Sequence, residues 1–209
     1  FRIGETEILL YYGKPSPYNV AQEIYIDMIP VTDYITSGVW QIILNPTRVV
    51  EGQYNLWLPS ENVLNRGTGF LYPDEEVTLT IPSTAEKVIS VGAYDALTFS
   101  YASFSGRGYT WQDERTKPDL VAPGVNVRTT AVGGGVTVVS GTSFATPFVT
   151  GASALLMEWG IVRGNDPFLY GEKVKAYLRR GARELPGFGK YPNREVGYGR
   201  LCLERSLPD

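Results

Sequence analysis

The run Ser140-Gly141-Thr142-Ser143-Phe144-Ala145-Thr146-Pro147 places hydroxyls, a glycine and a proline at the mouth of an apolar stretch that reads as a helix. A helix N-terminus presents N–H groups without intrahelical partners and about half a positive charge. An oxyanion forming beside Ser143 would therefore meet a donor in the serine's own backbone N–H. Gly141 lets the chain turn close to a substrate carbonyl. Pro147, expected in the first helical turn, would cost no hydrogen bond there and would stiffen the backbone that aims Ser143. The chemistry on offer is acyl transfer through a serine nucleophile. The commoner use of Ser and Thr before a helix is to cap its free N–H groups, and on these residues alone Thr142 or Ser143 fits that use as well.

A serine needs a base to take its proton, and none of the usual kind is present. The chain has 209 residues and no histidine, which excludes a His general base and a His-ligated metal site within it. Any base acting on Ser143 must come from elsewhere. The net charge is −3 with acids and bases interspersed, so no face can neutralise a row of phosphates, and nucleic acid is not an expected partner. The single cysteine, Cys202, has no internal disulfide partner and reads as a small buried hydrophobe. No apolar run of the roughly 20 residues that a membrane span needs is evident. The chain opens Phe1-Arg2-Ile3-Gly4-Glu5 without an initiator Met or a signal-peptide pattern, and reads as a piece of a longer chain.

Two kinds of element must position the serine. Up to about Pro82 short alternating runs predict strands: Ile24, Ile26 and Met28; Val39 to Leu44; Tyr54, Leu56 and Leu58; Val77, Leu79 and Ile81. Turn signals separate them, as at Glu51-Gly52 and Asn65-Arg66-Gly67, and the pattern is that of an all-β sandwich. Beyond Pro82, Val88-Ile89-Ser90-Val91-Gly92-Ala93 is the compact run of a strand covered on both faces. The stretch Phe144 to Trp159 is apolar on nearly every side, which predicts a centrally buried helix ending at Gly160. A second, amphipathic helix is expected to open at Asp166-Pro167, run through Val174, Tyr177 and Leu178, and stop at Gly181 after Arg179-Arg180.

Gly141, Thr142, Ser143, Ala145 and Pro147 together fit Gly-Thr-Ser-x-Ala-x-Pro, and in this the chain resembles the subtilisin-like serine proteases. Further landmarks of that family follow in order: Val91-Gly92-Ala93-Tyr94-Asp95, Phe104-Ser105-Gly106-Arg107-Gly108, Lys117 to Val125, Gly151-Ala152, and Gly197-Tyr198-Gly199-Arg200-Leu201. The resemblance covers residues 83–209 and implies the C-terminal portion of the catalytic α/β fold, a parallel sheet with a buried central helix. It implies that Ser143 is nucleophile and backbone oxyanion donor of a peptidase, with Gly141, Thr142, Ala145 and Pro147 supporting it. The family orders its triad Asp, His, Ser, so the Asp, the His and the oxyanion Asn would come from an N-terminal portion of the same protein. Asp95 and Asp119 match structural positions, Phe148 stands where subtilisins usually carry a noncatalytic His, and Gly164-Asn165 follows the serine and cannot be the oxyanion Asn. Calcium is common in the family, but no acidic loop here has convincing ligand spacing, and no cofactor is assigned.

Strand-rich sequence ahead of Val88 resembles the germination-associated subtilases of spore-forming anaerobes, which carry a jelly-roll domain inserted before the serine. That resemblance implies two parts: residues 1–82, the later part of the inserted all-β jelly roll, and residues 83–209, the catalytic portion. It also implies a bacterial source, spore-associated or cytoplasmic, and a peptide or protein substrate. Since some members of that group have lost the nucleophile, a pseudoprotease or binding scaffold in a signalling pathway is the alternative. The chain alone, without base, orienter or Asn, is expected to be inactive.

Overall fold

A computed structural model of the chain describes residues 1–17, 21–59, 63–109 and 116–208. Two compact units divide it, Phe1–Pro59 and Ser60–Asp209.

The first unit is built on an antiparallel sheet, β1 (Arg2–Ile3), β2 (Thr6–Gly13) and β3 (Glu23–Pro30), in the order β1-β2-β3. The register sets Ile8, Leu10 and Tyr12 opposite Met28, Ile26 and Ile24 on one face. Thr36 extends the unit: its hydroxyl accepts from the Glu5 N–H at 2.9 Å, and its own N–H donates to the Thr6 hydroxyl at 2.7 Å. Only the first of the expected alternations is a strand. Among the described residues no strand lies between Pro30 and Val91, so Val39–Leu44, Tyr54–Leu58 and Val77–Ile81 are irregular here, and these residues by themselves do not show the all-β sandwich expected from the sequence. Alternation supplies an apolar face, whereas a strand also needs a neighbour to take its N–H and C=O groups.

The second unit begins ahead of the sequence boundary at Pro82. The Thr78 N–H donates to Arg107 O at 3.0 Å, Arg107 pairs with Glu75, and Arg194 pairs with Glu76. Its centre is the sheet β5-β4-β8, with β4 (Val91–Asp95) parallel to β8 (Leu120–Pro123) and antiparallel to β5 (Ser100–Tyr101). Alternate residues of these strands serve two cores. Ala93, Leu120 and Ala122 join one with Ala145, Val149 and Leu156, while Tyr94 and Val121 join the other with Leu185 and Val196. This is the two-sided covering that the sequence predicts. Two short pairs complete the strands, β6 (Gly108–Tyr109) with β7 (Thr116–Lys117), and β9 (Val127–Thr130) with β10 (Val136–Val139).

Helix α1 (Thr142–Met157) packs on β4 and β8. It does not stop at Gly160: a π-helical turn carries it through Glu158–Val162, and the chain leaves through Gly164 at φ +77°. A Cβ at Gly160 would lie 2.8 Å from Leu169 Cδ2 and 3.2 Å from the Asp166 carbonyl oxygen, so the glycine keeps this approach close. Nor is α1 buried all round. Ala145, Val149, Ala152 and Leu156 are buried, but Phe148, Leu155 and Met157 are exposed, so a single face is covered. The continuous Thr142–Val162 segment, with 21 residues and hydropathy 1.2, has the length and composition of a membrane span, which corrects the sequence expectation. Its buried stripe of small and branched residues against a sheet is that of a core helix.

Helix α2 (Gly171–Gly181) starts later than expected, behind Tyr170 as N-cap. Asp166 lies five residues before it and does not cap it; its carboxylate accepts Lys173 Nζ at 2.6 Å and the Tyr177 hydroxyl at 2.9 Å, and these bonds hold its pKa below the usual range. The end at Gly181 is as expected, although the cause is close packing: a Cβ would collide with Ser206 in α3 (Leu203–Ser206).

Candidate active site

Strand β8 ends at Pro123, and Gly124 binds the serine segment to the carboxyl end of the parallel pair. Its N–H donates to Tyr94 O at 3.0 Å, and its carbonyl accepts the Gly141 N–H at 2.8 Å. A side chain is excluded at Gly124, since a Cβ would lie 2.6 Å from Ala93 Cβ and 3.0 Å from Gly141 O. The β9–β10 hairpin leaves this point and returns to it. The Ser140 hydroxyl then accepts the Asn126 N–H at 2.9 Å, closing the base of the hairpin.

Gly141 is the N-cap of α1, at φ 150° and ψ 156°, and no side chain caps the helix. Thr142 and Ser143 are the first two helical residues, so neither is a cap, and the ordinary capping use left open by the sequence does not apply. The Ser143 side chain is exposed, and its N–H belongs to the first turn, where α-helical acceptors do not exist. No acidic residue occupies that turn, so the positive end of the helix keeps its field. Directly beneath, Ala145 is fully buried in the core with Ala93 and Ala122, which fixes how deep the serine sits.

Pro147 is not in the first turn. It lies inside α1 and leaves the Ser143 carbonyl without the N–H that would normally reach back four residues. The neighbouring Thr142 carbonyl accepts the Thr146 hydroxyl at 3.0 Å instead of relying on backbone alone. The proline therefore weakens the helix at the serine rather than leaving it untouched.

The remaining marked residues separate cleanly. Asp95 accepts the Leu97 N–H at 2.8 Å in a local turn. Asn165 donates to Trp159 O at 2.8 Å, behind α1. Asp119 is fully buried and receives the Ser90 N–H at 2.7 Å, Lys117 Nζ at 3.0 Å and the Arg179 guanidinium, with Lys175 Nζ at 3.3 Å. Burial pushes its pKa up, but the Ser90 N–H, Lys117 and Arg179 outweigh burial and hold it below the usual carboxylate range. Three cations on one carboxylate leave Lys175 short of counter-charge. Burial first, with Lys117 and Arg179 adding to it against Asp119, lowers its pKa to about 8. The cluster joins α2 to β7 and β8 and is structural. Sequence reading missed it, together with the roles of Gly124 and Ser140, because each depends on residues brought together only by folding. Among the described residues no group of three His, Cys, Asp or Glu side chains converges as a metal site requires.

The Subtilase family model matches residues 71–199. Among curated proteins, the membrane-bound transcription factor site-1 protease of Mus musculus is 39% identical over 134 residues, covering 62% of this chain and 12% of that protein. Serine protease AprX of Bacillus subtilis is 35% identical over 156 residues, covering 65% of this chain and 33% of its own length. Among solved structures, the Clostridium perfringens CspB protease superposes with TM-score 0.79 at 42% identity, covering 98% of this chain and 43% of that one. The chain thus spans an eighth to less than half of the length of these relatives.

Proposed function

The chain belongs to the subtilase family of serine proteases, and from that we propose that it is the serine-bearing portion of an endopeptidase whose nucleophile is Ser143. The observation that carries this is an exposed hydroxyl at the second position of an uncapped helix, held by Gly124 and Gly141 at the carboxyl end of the parallel strands. Ser143 Oγ attacks the peptide carbonyl while its proton passes to a His, oriented by an Asp, from the portion of the protein upstream of Phe1. The Ser143 N–H and an upstream Asn side chain receive the oxyanion. Collapse expels the amine, which takes the proton from the His, and water then releases the acyl group by the same path. Without those partners the chain by itself is inactive.

The wide reach of the superposition supports a closer placement. The mouse and Bacillus relatives match about two thirds of the chain, whereas the Clostridium protease matches 98% of it, the first unit included. This favours the germination-associated branch, with the early residues as the later part of an inserted jelly roll. The sequence reading gave that insertion as residues 1–82; the contacts gather 1–59 into a separate unit and leave 60–82 with the catalytic portion. In such a sandwich the missing strands would take up the exposed alternating runs.

The test is Ser143→Ala in the polypeptide that includes the upstream portion. Cleavage of a peptide substrate is expected to fall by about 10⁶-fold in kcat with KM little changed, the size of the loss when subtilisin is stripped of its serine. Retention of more than about one hundredth of the activity would remove Ser143 from the mechanism.

A further inference from the structure

The two faces of the β2–β3 hairpin differ in chemistry. One carries Ile8, Leu10, Tyr12, Ile24, Ile26 and Met28, the composition of a core face. Because opposed residues of an antiparallel pair share a face, the other carries Tyr11 opposite Tyr25, Leu9 opposite Asp27, and Gly13 opposite Glu23. On the first face Ile8 is buried while Leu10, Tyr12 and Ile24 are exposed, and on the second Tyr11 and Tyr25 are open to a ligand as well. Both rings are more than half exposed, with centroids 5.9 Å apart and planes tilted by 48°.

At the Gly13 end of the hairpin lies an open hollow of about 580 Å³, lined by Tyr11, Gly13, Glu23, Tyr25 and Asp27 of this face and at its margin by Tyr12 of the other. On this face two residues offer aromatic rings, two offer carboxylates, and none of the lining residues offers a cation. Ring faces and carboxylates both attract positive charge, and neither fills the need of the other. The carboxylates flank Tyr25 along its own strand, at the next positions on the same face, so a cation placed over that ring is within reach of either.

The geometry points to a binding site for a basic side chain, lysine or arginine, presented by an extended segment of a protein partner or substrate. It lies in the first unit and does not depend on Ser143. In the peptidase read above it would be an exosite for a basic segment of the substrate.

The test is fluorescence-anisotropy titration of the chain with fluorescein-labelled hexalysine at low salt. Binding is expected to weaken about tenfold in Glu23→Gln/Asp27→Asn and about fivefold in Tyr25→Leu, with far-UV circular dichroism unchanged. The double variant Asp33→Asn/Glu51→Gln, which removes two exposed acids of the same unit, is expected to bind as the parent does. Equal weakening by that control, indifference to the Glu23, Asp27 and Tyr25 changes, or binding of a neutral glucose hexasaccharide that Tyr25→Leu abolishes would each overturn the assignment.

Discussion

Ile43 and Val121 are both β-branched residues in short apolar runs, yet Ile43 is 70% exposed and Val121 is fully buried. The difference is in the neighbours. Val121 pairs with Gly92 on one side, and on the other its N–H donates to Gly199 O while its carbonyl accepts the Leu201 N–H. Ile43 has no strand on either side among the described residues. A run of this kind determines which residues share a face. Whether the face is buried depends on what else the chain brings to it, and the two units differ in just that respect.

Glycines sharpen the comparison most. Gly197 sits at φ +57°, and a Cβ there would collide with the carbonyls of Pro118 and Asp119, where the closing segment lies against β8. Gly197→Ala is expected to lower stability by about 3 kcal/mol or more, through backbone strain and loss of the pairing with β8. Gly52, in the first unit, has only Val49 Cγ1 at 3.8 Å, and Gly52→Ala should change stability by no more than about 0.5 kcal/mol. Urea unfolding of both variants checks the pair; equal effects would mean that the two units are equally constrained.

The same contrast runs through a single helix. Leu156 is fully buried and Leu155 is 52% exposed. Leu156→Ala is expected to cost about 2–4 kcal/mol, and Leu155→Ala about 0.5 kcal/mol or less. Urea midpoints of the two variants separate them, and a comparable loss from Leu155→Ala would show that the outer face of α1 is covered.

A pH dependence is expected as well. Lys175 has a folded pKa of about 8, below its value in an unfolded chain, so the unfolded state binds more protons between about pH 8 and 10.5. Stability should therefore rise as pH increases through that window, and the rise should be absent in Lys175→Met. Parallel slopes in parent and variant would show that Lys175 is not depressed.

The serine motif, the start of α1 and the two-sided β4 were legible because each rests on residues adjacent in the chain. The all-round burial expected for α1 was not, since Leu155 and Leu156 are alike in sequence and differ only in what packs on them. Asp166-Pro167 has the form of a helix start, but the chain makes only a turn there, with the Leu169 N–H donating to Asp166 O, and α2 opens behind Tyr170. Gly160 was read as a helix stop but lies inside the π-helical turn, and Gly181, which does end α2, also makes room for Ser206, a contact that no local pattern records. The Asp119 cluster draws on Ser90, Lys117, Lys175 and Arg179, four residues scattered along the chain.

The most direct measurement is intact-mass spectrometry with peptide mapping after treatment with a fluorophosphonate, which reacts only with a serine whose proton can be taken. The polypeptide that carries the upstream portion should gain a single adduct, mapped to Ser143, and residues 1–209 alone should gain none. An adduct on another residue, or none on the longer polypeptide, would contradict the assignment of Ser143 as the nucleophile.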